Sequence, residues 1–325
     1  MQHIFIMNPN AGRRKEQAKL KRAIDVACKE ADASYEIYET KCKDDGMAQM
    51  LRVVEALEAE GDTETQLRFY FCGGDGSVLE AANGFMALPE AYRKGRVSVG
   101  VIPIGTGNDF IRNFGKAADF MDIHAQLNGT PVQVDAISFN QRYAANMLNV
   151  GFDCQVVKKV EELRGNFFMR KGLAYPIGVA CTLLRFPHAQ IKLTFDDGET
   201  YEGRFLLSFV ANGCYCGGGF KSASEAKQDD GLLDVMMVKP ISRLKFISLI
   251  GKYKKGTLLG TRAAKKYILY KQCKSVTVEA VAGEDVCIDG EVEPFGKLQI
   301  QAEQKVFYFS VPSQAASVIK GSLAR

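Results

Sequence analysis

Short apolar runs alternate with longer amphipathic segments over the first third of the chain. The apolar runs are Ile4–Met7, Tyr35–Tyr38, Leu67–Cys72 and Val97–Ile102. The first two runs are each followed by a segment in which apolar residues recur every three or four positions. This alternation predicts strands joined by helices, the order typical of a parallel sheet with helices on both faces.

The pattern changes near residue 130, beyond which predicted strands outnumber helices. The predicted strands are Val132–Ser138, Arg142–Val150, Ile191–Phe195, Phe205–Asn212, Leu232–Val238, Ser275–Ala280 and Lys297–Gln301. Helical spacing is strongest in Gly172–Leu184 and Arg243–Lys255. We therefore expect an α/β domain over residues 1–130 and a β-rich domain over 131–304. Residues 305–325, with a final helix at Ser313–Leu323, are expected to pack back on the first domain.

Composition narrows the class of protein further. A length of 325 residues exceeds the usual size of one hydrophobic core and favours two domains. Nine cysteines without a C-x-x-C pair indicate reduced thiols rather than a disulfide framework. No apolar run reaches the roughly 18 residues of a membrane span. The N-terminus lacks the basic region of a signal peptide, so we expect a cytoplasmic protein whose membrane contact is peripheral.

Three turns rich in glycine and polar residues follow predicted strands of the first domain. They are Asn8-Pro9-Asn10-Ala11-Gly12, Gly73-Gly74-Asp75-Gly76-Ser77 and Gly105-Thr106-Gly107-Asn108-Asp109. In a parallel sheet these turns open at one edge, where ligands bind. Glycines let backbone N–H groups approach an anion, and a helix N-terminus adds positive charge. Any one of them is explained as a simple turn, but the three together predict a phosphate site.

Two aspartates, Asp75 and Asp109, bring negative charge into these loops. A bare carboxylate repels phosphate, so Mg²⁺ or a transferable proton is expected between them. The chain has no G-x-x-x-x-G-K-[ST] motif, which excludes a P-loop kinase, and no intact G-x-G-x-x-G, which disfavours a dinucleotide reductase. The residues therefore predict metal-dependent phosphate chemistry, with these aspartates as Mg²⁺ ligands or as the base.

The three turns, with Glu80, Asn83-Gly84, Pro103 and Phe110 nearby, resemble the diacylglycerol kinase catalytic domain. Three later motifs resemble second-domain motifs of the bacterial soluble lipid kinases, relatives of sphingosine kinases and NAD kinases. They are Gly217-Gly218-Gly219-Phe220, Asp229-Asp230-Gly231-Leu232-Leu233-Asp234-Val235 and Asp289-Gly290-Glu291. The resemblance implies an NAD-kinase-like architecture, with a Rossmann-like nucleotide-binding domain before a sandwich-like lipid domain.

The resemblance also assigns roles residue by residue. It implies nucleotide binding by Asn8, Pro9, Asn10, Thr40, Gly73, Gly74, Asp75, Gly76, Ser77, Gly105, Thr106, Asn108 and Asp109. It implies a carboxylate–water–Mg²⁺ network at Asp75, Asp109 and Asp135, and a proton acceptor at Asp289 or Glu291. It implies a structural metal held by the side chain of Asp230 and the carbonyls of Lys227 and Leu232. Gly107 stands where alanine or proline is common, a mild departure.

Two of the acidic motifs also have a simpler explanation. Asp230-Gly231 and Asp289-Gly290 both have the sequence of a tight turn, and the latter suits a hairpin after Val286–Ile288. A turn can still present its carboxylate to a ligand, so both interpretations stay open for each motif.

The segment from Ile241 to Val278 contains ten Lys and Arg residues and no Asp or Glu. Leucine and isoleucine are interleaved with these basic residues. Each basic residue near an anionic bilayer contributes about 1 kcal/mol, and a basic amphipathic stretch suits an enzyme that acts at a membrane. A solvated helix face is the alternative. No aromatic stacking platform accompanies the charge, which disfavours nucleic acid. We expect contact with the anionic inner face of the membrane.

These features predict transfer of the γ-phosphate of ATP, with Mg²⁺, to the hydroxyl of a diacylglycerol-like lipid. The transfer is expected in a cleft between the domains. The alternatives are a kinase of a soluble acceptor such as NAD and a catalytically silent nucleotide or lipid sensor. Intact acidic positions disfavour the sensor, and the basic segment favours a lipid over NAD. Apolar residues in Phe167–Leu184 either line an acyl groove or belong to the core, and a homodimer stays open.

Overall fold

A computed structural model of the chain describes residues 1–164 and 174–315. The chain divides into two compact units. Unit 1 contains residues 1–136 together with those from Gln304 onward, and unit 2 contains Ile137–Glu303. The first division lies after Ala136, whereas the sequence pattern changes near residue 130.

Unit 1 alternates strands and helices along the chain, as predicted. Its elements are β1 (Gln2–Met7), α1 (Arg14–Glu30), β2 (Ser34–Glu39), α2 (Asp45–Ala59), β3 (Leu67–Gly73), α3 (Asp75–Ala87), α4 (Glu90–Arg93), β4 (Val97–Pro103), a 3-10 helix (Phe110–Asn113), α5 (Ala117–Met121) and α6 (Ile123–Leu127). Strand β5 (Thr130–Phe139) leads into unit 2, and the end of a long strand, β14 (Glu291–Val311), returns to unit 1.

The sheet of unit 1 is parallel, with the strand order β14-β4-β3-β1-β2. The carboxyl ends of its strands are aligned, because Met7 lies opposite both Glu39 and Cys72, and Gly73 lies opposite Pro103. The chain passes from β1 to β2 on one side and returns to β3 on the other. Strands β1 and β3 therefore flank a topological switch point, which is where such sheets bind ligands.

Burial explains why these segments form a covered sheet. Strands β3 and β4 are buried along their whole length, as expected for parallel strands with helices on both faces. In α1, Leu20, Ile24 and Ala27 recur at helical spacing and pack with Phe5 and Met7 of β1. The amphipathic pattern that predicted this helix therefore also fixes its orientation.

Unit 2 is rich in strands, and its paired strands are antiparallel. Its further elements are β6 (Arg142–Ala144), β7 (Met147–Gly151), α7 (Phe152–Arg164), α8 (Ala174–Arg185), β8 (Ala189–Phe195), β9 (Thr200–Phe205), β10 (Leu207–Ala211), β11 (Leu233–Val238), α9 (Arg243–Lys254), α10 (Arg262–Tyr267), β12 (Ile268–Cys273) and β13 (Ser275–Ile288). The predicted fold class, a parallel α/β unit with a β-rich second unit, is confirmed. None of the helices in the described ranges is long and apolar enough to cross a bilayer.

The structure corrects several predicted elements of unit 2. Helix α7 was not predicted, although Phe152, Val156 and Val160 recur at helical spacing and are buried. A bend at Ala145 and Asn146 divides the single strand expected over residues 142–150 into β6 and β7.

Five other expected elements have different bounds. The strand expected over residues 205–212 is the end of β9 followed by β10, and the strands at 275–280 and 297–301 are parts of the longer β13 and β14. The predicted helix Ser313–Leu323 is helical over 313–315, and 316–323 lie outside the described residues. The helix expected from Gly172 is described from Ala174.

Candidate active site

Loops from three strands meet at the carboxyl edge of the unit 1 sheet, beginning with the turn after β1. The N–H of Asn8 donates to the carbonyl of Cys72 at 3.2 Å. Its side-chain Oδ1 accepts from the N–H of Asn10 at 2.9 Å, which closes a turn around Pro9. Thr40 follows β2, and its N–H donates to the carbonyl of Met7 at 3.0 Å. The predicted residues Asn8, Pro9, Asn10 and Thr40 are thus neighbours at the end of β1.

The glycine loops after β3 and β4 are packed backbone to backbone. The carbonyl of Gly73 accepts from the N–H groups of Ile104 and Gly105, both at 3.0 Å. A Cβ on Gly105 would lie 2.4 Å from the Cα of Gly74, so only glycine allows this approach. The N–H of Ser77 donates to the carbonyl of Gly74 at 3.0 Å and begins α3.

The first turn of α3 faces the third loop. Gly76 lies in this turn, and Thr106 is exposed in the loop. Asn108 has a φ of +53° and its amide donates to the carbonyl of Gly105 at 2.9 Å. The N-terminus of a 13-residue helix therefore lies beside two glycine-rich loops, an arrangement that favours a bound phosphate.

Asp75 and Asp109, the carboxylate pair, lie against each other at this edge. The Oδ1 of Asp75 accepts from the N–H of Asp109 at 2.7 Å and from that of Phe110 at 3.3 Å. A Cβ on Gly107 would lie 2.5 Å from Oδ2 of Asp75 and 3.6 Å from Oδ2 of Asp109. Both carboxylates therefore reach the space above Gly107. An alanine there would require the Asp75 carboxylate to move.

Arg112 contacts the carboxylate pair and was not among the predicted site residues. Its Nε lies 3.5 Å from Oδ1 of Asp109, and its Nη2 donates to the carbonyl of Gly107 at 3.0 Å. The guanidinium therefore partly balances one carboxylate and fixes the loop. Its position three residues after Asp109 was a signal in the sequence, because i, i+3 pairs meet on one helix face.

The electrostatics of the carboxylate pair suit a cation. Burial, followed by the negative charge of Asp109, raises the pKa of Asp75 to about 6, although backbone N–H donors oppose the shift. A half-buried and a buried carboxylate that repel each other form a donor set that Mg²⁺ would stabilise. In residues 1–164 and 174–315, no three His, Cys, Asp or Glu side chains are grouped to hold a metal.

Asp135 therefore does not join the pair in a direct three-carboxylate site. It is buried in unit 1, and its Oδ1 accepts from the N–H of Lys305 at 2.7 Å. A Mg²⁺ ion at the carboxylate pair would complete its coordination with water and phosphate oxygens, as the water-mediated network of the resemblance implies.

Two motif residues of α3 have packing roles. The Oε1 of Glu80 accepts from the N–H groups of Gly46 and Met47, at 2.7 and 3.2 Å. A Cβ on Gly84 would lie 3.3 Å from the Cα of Met47. Glu80 and Gly84 therefore hold α3 against the start of α2, which supports the loop before α3.

Asp289 and Glu291 lie in unit 2, at the hairpin between β13 and β14. Asp289 and Gly290 have φ values of +44° and +94°, and Ile288 pairs with Glu291, so the hairpin explanation of this motif is present in the structure. The carboxylate of Asp289 accepts from the N–H groups of Ala145, Asn146 and Met147, the shortest contacts being 2.8, 3.2 and 2.7 Å. Asp289 therefore stabilises a turn, and Glu291 is the better candidate for proton acceptor.

The predicted structural metal site contains a similar turn. The Oδ1 of Asp230 accepts from the N–H of Leu232 at 3.0 Å across Gly231, whose φ is +72°. Lys227 is exposed nearby in sequence. The turn explanation is again present, and the metal assignment to Lys227, Asp230 and Leu232 stays a prediction.

Comparison with known proteins agrees with this geometry. Residues 2–139 match the diacylglycerol kinase catalytic domain, and residues 146–309 match the YegS C-terminal NAD kinase beta sandwich-like domain. The chain belongs to the diacylglycerol kinase superfamily. The resemblance found in the sequence is thus confirmed, including the sandwich-like second domain.

Relatives and solved structures match this family member over most of its length. The chain is 25% identical to a probable lipid kinase YegS-like of Shewanella frigidimarina, over 85% of each chain. It is 27% identical to a diacylglycerol kinase of Bacillus subtilis, over 88% of each chain. A crystal structure of a putative diacylglycerol kinase from Bacillus anthracis has a TM-score of 0.72 at 23% identity, covering 97% of this chain and 96% of that one. That structure shares the fold.

An apolar pocket lies between α7, α8 and α9 of unit 2, and it was not predicted from the sequence. It is lined by apolar side chains such as Val156, Val179 and Ile250, and its accessible volume is about 50 Å³. Its polar residues include Asn149 and Asp153, and Asp153 accepts from the hydroxyl of Tyr253 at 2.7 Å. Burial raises the pKa of Asp153 to about 6 and holds that of Tyr253 well above its usual value.

The sequence contained a partial signal for this pocket. An aspartate next to Phe152 inside an apolar helical pattern indicates a carboxylate turned toward the core. The acyl groove suggested over residues 167–184 falls partly outside the described residues, which resume at Ala174. Within the described part, Tyr175 and Val179 do line the pocket.

Proposed function

We propose that this kinase transfers the γ-phosphate of ATP to the hydroxyl of a diacylglycerol-like lipid, with Mg²⁺ as cofactor. The observation that carries the proposal is the carboxylate pair, Asp75 and Asp109, beside the glycine-rich loops at the carboxyl edge of the unit 1 sheet. Carboxylates beside a phosphate loop serve a purpose only when a cation or proton mediates between them and the phosphate.

The loops of unit 1 supply the nucleotide contacts. The N-terminal N–H groups of α3 and the loop from Gly105 to Asp109 are oriented to hold phosphate oxygens. Asn8, Asn10 and Thr40 lie at the end of β1, where the rest of the nucleotide would extend. Bound Mg²⁺ would neutralise phosphate charge at Asp75 and Asp109 and favour in-line transfer.

An acidic side chain must accept the proton of the attacking hydroxyl. Asp289 is a poor acceptor, because both of its carboxylate oxygens already accept hydrogen bonds from backbone N–H groups. We assign the acceptor role to Glu291, with Asp75 as the catalytic residue that would hold Mg²⁺ at the phosphates.

The pocket of unit 2 supports a lipid acceptor over a soluble one. Its lining is mainly apolar, and its polar groups belong to Asn149, Asp153, Tyr175 and Tyr253. Such a lining favours hydrocarbon over a dinucleotide, whose phosphates and riboses require many polar partners. The Asp153–Tyr253 pair gives the pocket one polar position that can hydrogen-bond a glycerol ester or hydroxyl.

The decisive test is incubation of the purified protein with labelled ATP, Mg²⁺ and a panel of acceptors in mixed micelles. The panel contains diacylglycerol, phosphatidylglycerol, a sphingoid base and NAD. We expect label on a lipid, and none with the matched variant Asp75→Asn. Label on NAD alone would replace the lipid proposal with the soluble-acceptor kinase. ATP binding without transfer to any acceptor would favour the silent sensor.

A further inference from the structure

Three exposed apolar side chains lie on the adjoining ends of α8 and α9 in unit 2. Leu184 is 77% exposed, Leu244 is 82% exposed and Ile247 is 50% exposed. Such exposure is costly for a branched aliphatic side chain, which stabilises a protein by about 1.5–3 kcal/mol when fully buried. Clustering of such residues marks an interaction surface, whereas scattered ones are ordinary.

One hydrogen bond ties the two helix ends together. The Nη2 of Arg243, at the start of α9, donates to the carbonyl of Leu184, near the end of α8, at 2.8 Å. The same guanidinium lies 5.8 Å from the ring centre of Phe186. Leu184, Leu244 and Ile247 are thus exposed side chains of two helix ends that this bond joins, and we name these three residues the apolar tip.

The two faces of α9 have different environments, because one is buried and the other is exposed. Phe246 and Tyr253 are buried, and Phe246, Ile250 and Tyr253 line the apolar pocket. Leu244 and Ile247 are three positions apart on the opposite, exposed face. Core packing thus accounts for one set of apolar residues of this helix, and it leaves the apolar tip exposed among the described residues of unit 2.

Basic residues lie next to the apolar tip and farther along α9, and we name them together the basic rim. Arg185 adjoins Leu184 and is exposed, and Arg243 and Lys245 flank Leu244. Lys252 and Lys255 are exposed at the other end of α9. Because Ile241–Val278 contains no Asp or Glu, this positive field is not cancelled within its own segment. Apolar side chains inside a basic rim match the interface of an anionic bilayer.

We propose that the apolar tip inserts into an anionic membrane while the basic rim contacts lipid headgroups. This proposal rests on the proposed function, and it names the surface by which the kinase reaches its acceptor. The tip and the pocket share α8 and α9, so insertion brings the pocket helices to the level of the lipid headgroups.

Insertion can be measured at a single position because the chain contains no tryptophan. Leu244→Trp places the sole indole at the apolar tip. Val26→Trp is the matched control, because Val26 is 50% exposed on α1 of unit 1. On vesicles of equal parts phosphatidylcholine and phosphatidylglycerol, we expect a blue shift at position 244 and quenching by lipids brominated on the acyl chain. The emission at position 26 should not change.

Affinity is measured with serine variants in a sedimentation assay with the same vesicles. We expect the triple variant Leu184→Ser, Leu244→Ser and Ile247→Ser to lose at least about tenfold in vesicle affinity, because three apolar side chains no longer insert. The matched control replaces three exposed apolar residues elsewhere, Val26, Met121 and Val281, with serine. That control should sediment like the parent.

Salt separates the apolar and electrostatic contributions. Lys252→Glu with Lys255→Glu should weaken binding at low salt and have little effect at 1 M salt, where the Debye length is about 3 Å. Lys254 is left unchanged because its ammonium lies 5.3 Å from the ring centre of Phe220, a pocket residue. The serine variant should remain weaker than the parent at both salt concentrations.

The binding assay needs no catalysis, so it separates this proposal from the proposed function. The inactive variant Asp75→Asn should sediment like the parent, and the serine variant should retain full turnover on a short-chain, water-soluble lipid. An unshifted spectrum at position 244, a serine variant that binds as well as the parent, or a parent that does not bind overturns the proposal. A parent dimer that the serine substitutions dissociate would assign the tip to a protein contact and also overturn it.

Discussion

The side chain of Asp75 accepts a hydrogen bond from the backbone N–H of Asp109 across 2.7 Å. One carboxylate thus fixes the backbone that carries the other, and both reach the space above Gly107. Asp75 therefore has two separable roles. Its charge belongs to the proposed phosphate site, whereas its Oδ1 acts as a structural acceptor for the loop after β4.

Two substitutions of Asp75 should separate these roles. Asp75→Asn keeps an acceptor oxygen and removes the charge, so we expect turnover to fall at least about 10²-fold without a lower melting temperature. Asp75→Ala also removes the acceptor, and unpaired N–H groups should lower the free energy of unfolding by about 1–3 kcal/mol. Steady-state kinetics and thermal unfolding of both variants provide the check. Full turnover in a folded Asp75→Asn protein would remove this carboxylate from the mechanism.

Substitutions of Asp289 and Glu291 should have different effects. The first should lower stability, and the second should lower turnover. Asp289→Ala should destabilise the protein by about 3 kcal/mol or more, because three buried N–H groups lose their acceptor. Glu291→Gln should leave urea unfolding unchanged and lower turnover by about 10²-fold or more. A Glu291→Gln protein with parental kcat would exclude this residue as the proton acceptor.

The pH dependence of stability should reveal a buried carboxyl in unit 2. Asp234 is fully buried and accepts from the hydroxyl of Tyr270. Burial raises its pKa to about 6, above the roughly 3.9 of an unfolded chain. The native state therefore holds this proton more tightly, and the contribution of Asp234 is greatest below pH 4.

That contribution is lost as the pH rises through about 6. The difference between a pKa of about 6 in the folded state and about 3.9 in the unfolded state lowers the free energy of unfolding by about 3 kcal/mol between pH 4 and pH 7. Asp234→Asn should therefore flatten the fall in unfolding free energy over this range, measured by urea titration. An equal slope in parent and variant would show that Asp234 is ionised without cost in the native state.

The structural metal is tested by thermal unfolding. Asp230→Asn preserves the acceptor for the Leu232 N–H and removes a charge from the predicted ligand set. If Lys227, Asp230 and Leu232 hold a cation, Mg²⁺ should raise the parental melting temperature and raise that of the variant less. Identical Mg²⁺ responses in the two proteins would leave only the turn at this position.

The local parts of the site were predictable from the sequence, whereas the contacts between them were not. Alternating apolar runs placed Asn8, Gly73 and Gly105 after parallel strands, and the edge of the sheet brings such positions together. The approach of Gly105 to Gly74 and the bond from Asp109 to Asp75 depend on how two loops pack. Neither loop contains a periodic pattern that specifies the other.

Contacts between residues that are distant in the sequence were harder still to predict. The carboxylate of Asp289 accepts hydrogen bonds from the N–H groups of Ala145, Asn146 and Met147, which precede it by more than a hundred residues. The hairpin at Asp289-Gly290 could be predicted from the sequence, but the backbone N–H groups that its carboxylate binds could not. Helix α7 differs from these contacts, because its pattern at Phe152, Val156 and Val160 is local and has helical spacing. That pattern was sufficient to predict the helix, although the helix was not among the predicted elements.

The return of β14 to unit 1 determines when this domain can be completed during synthesis. Phe307 and Phe309 are buried and pack on Phe85, Phe110 and Phe114, with ring centres about 5 Å apart. A nascent chain that ends inside unit 2 therefore carries a nucleotide-binding half whose aromatic core still lacks two rings. At roughly 5–20 residues per second, that core stays open for many seconds, so unit 2 is synthesised before unit 1 is complete.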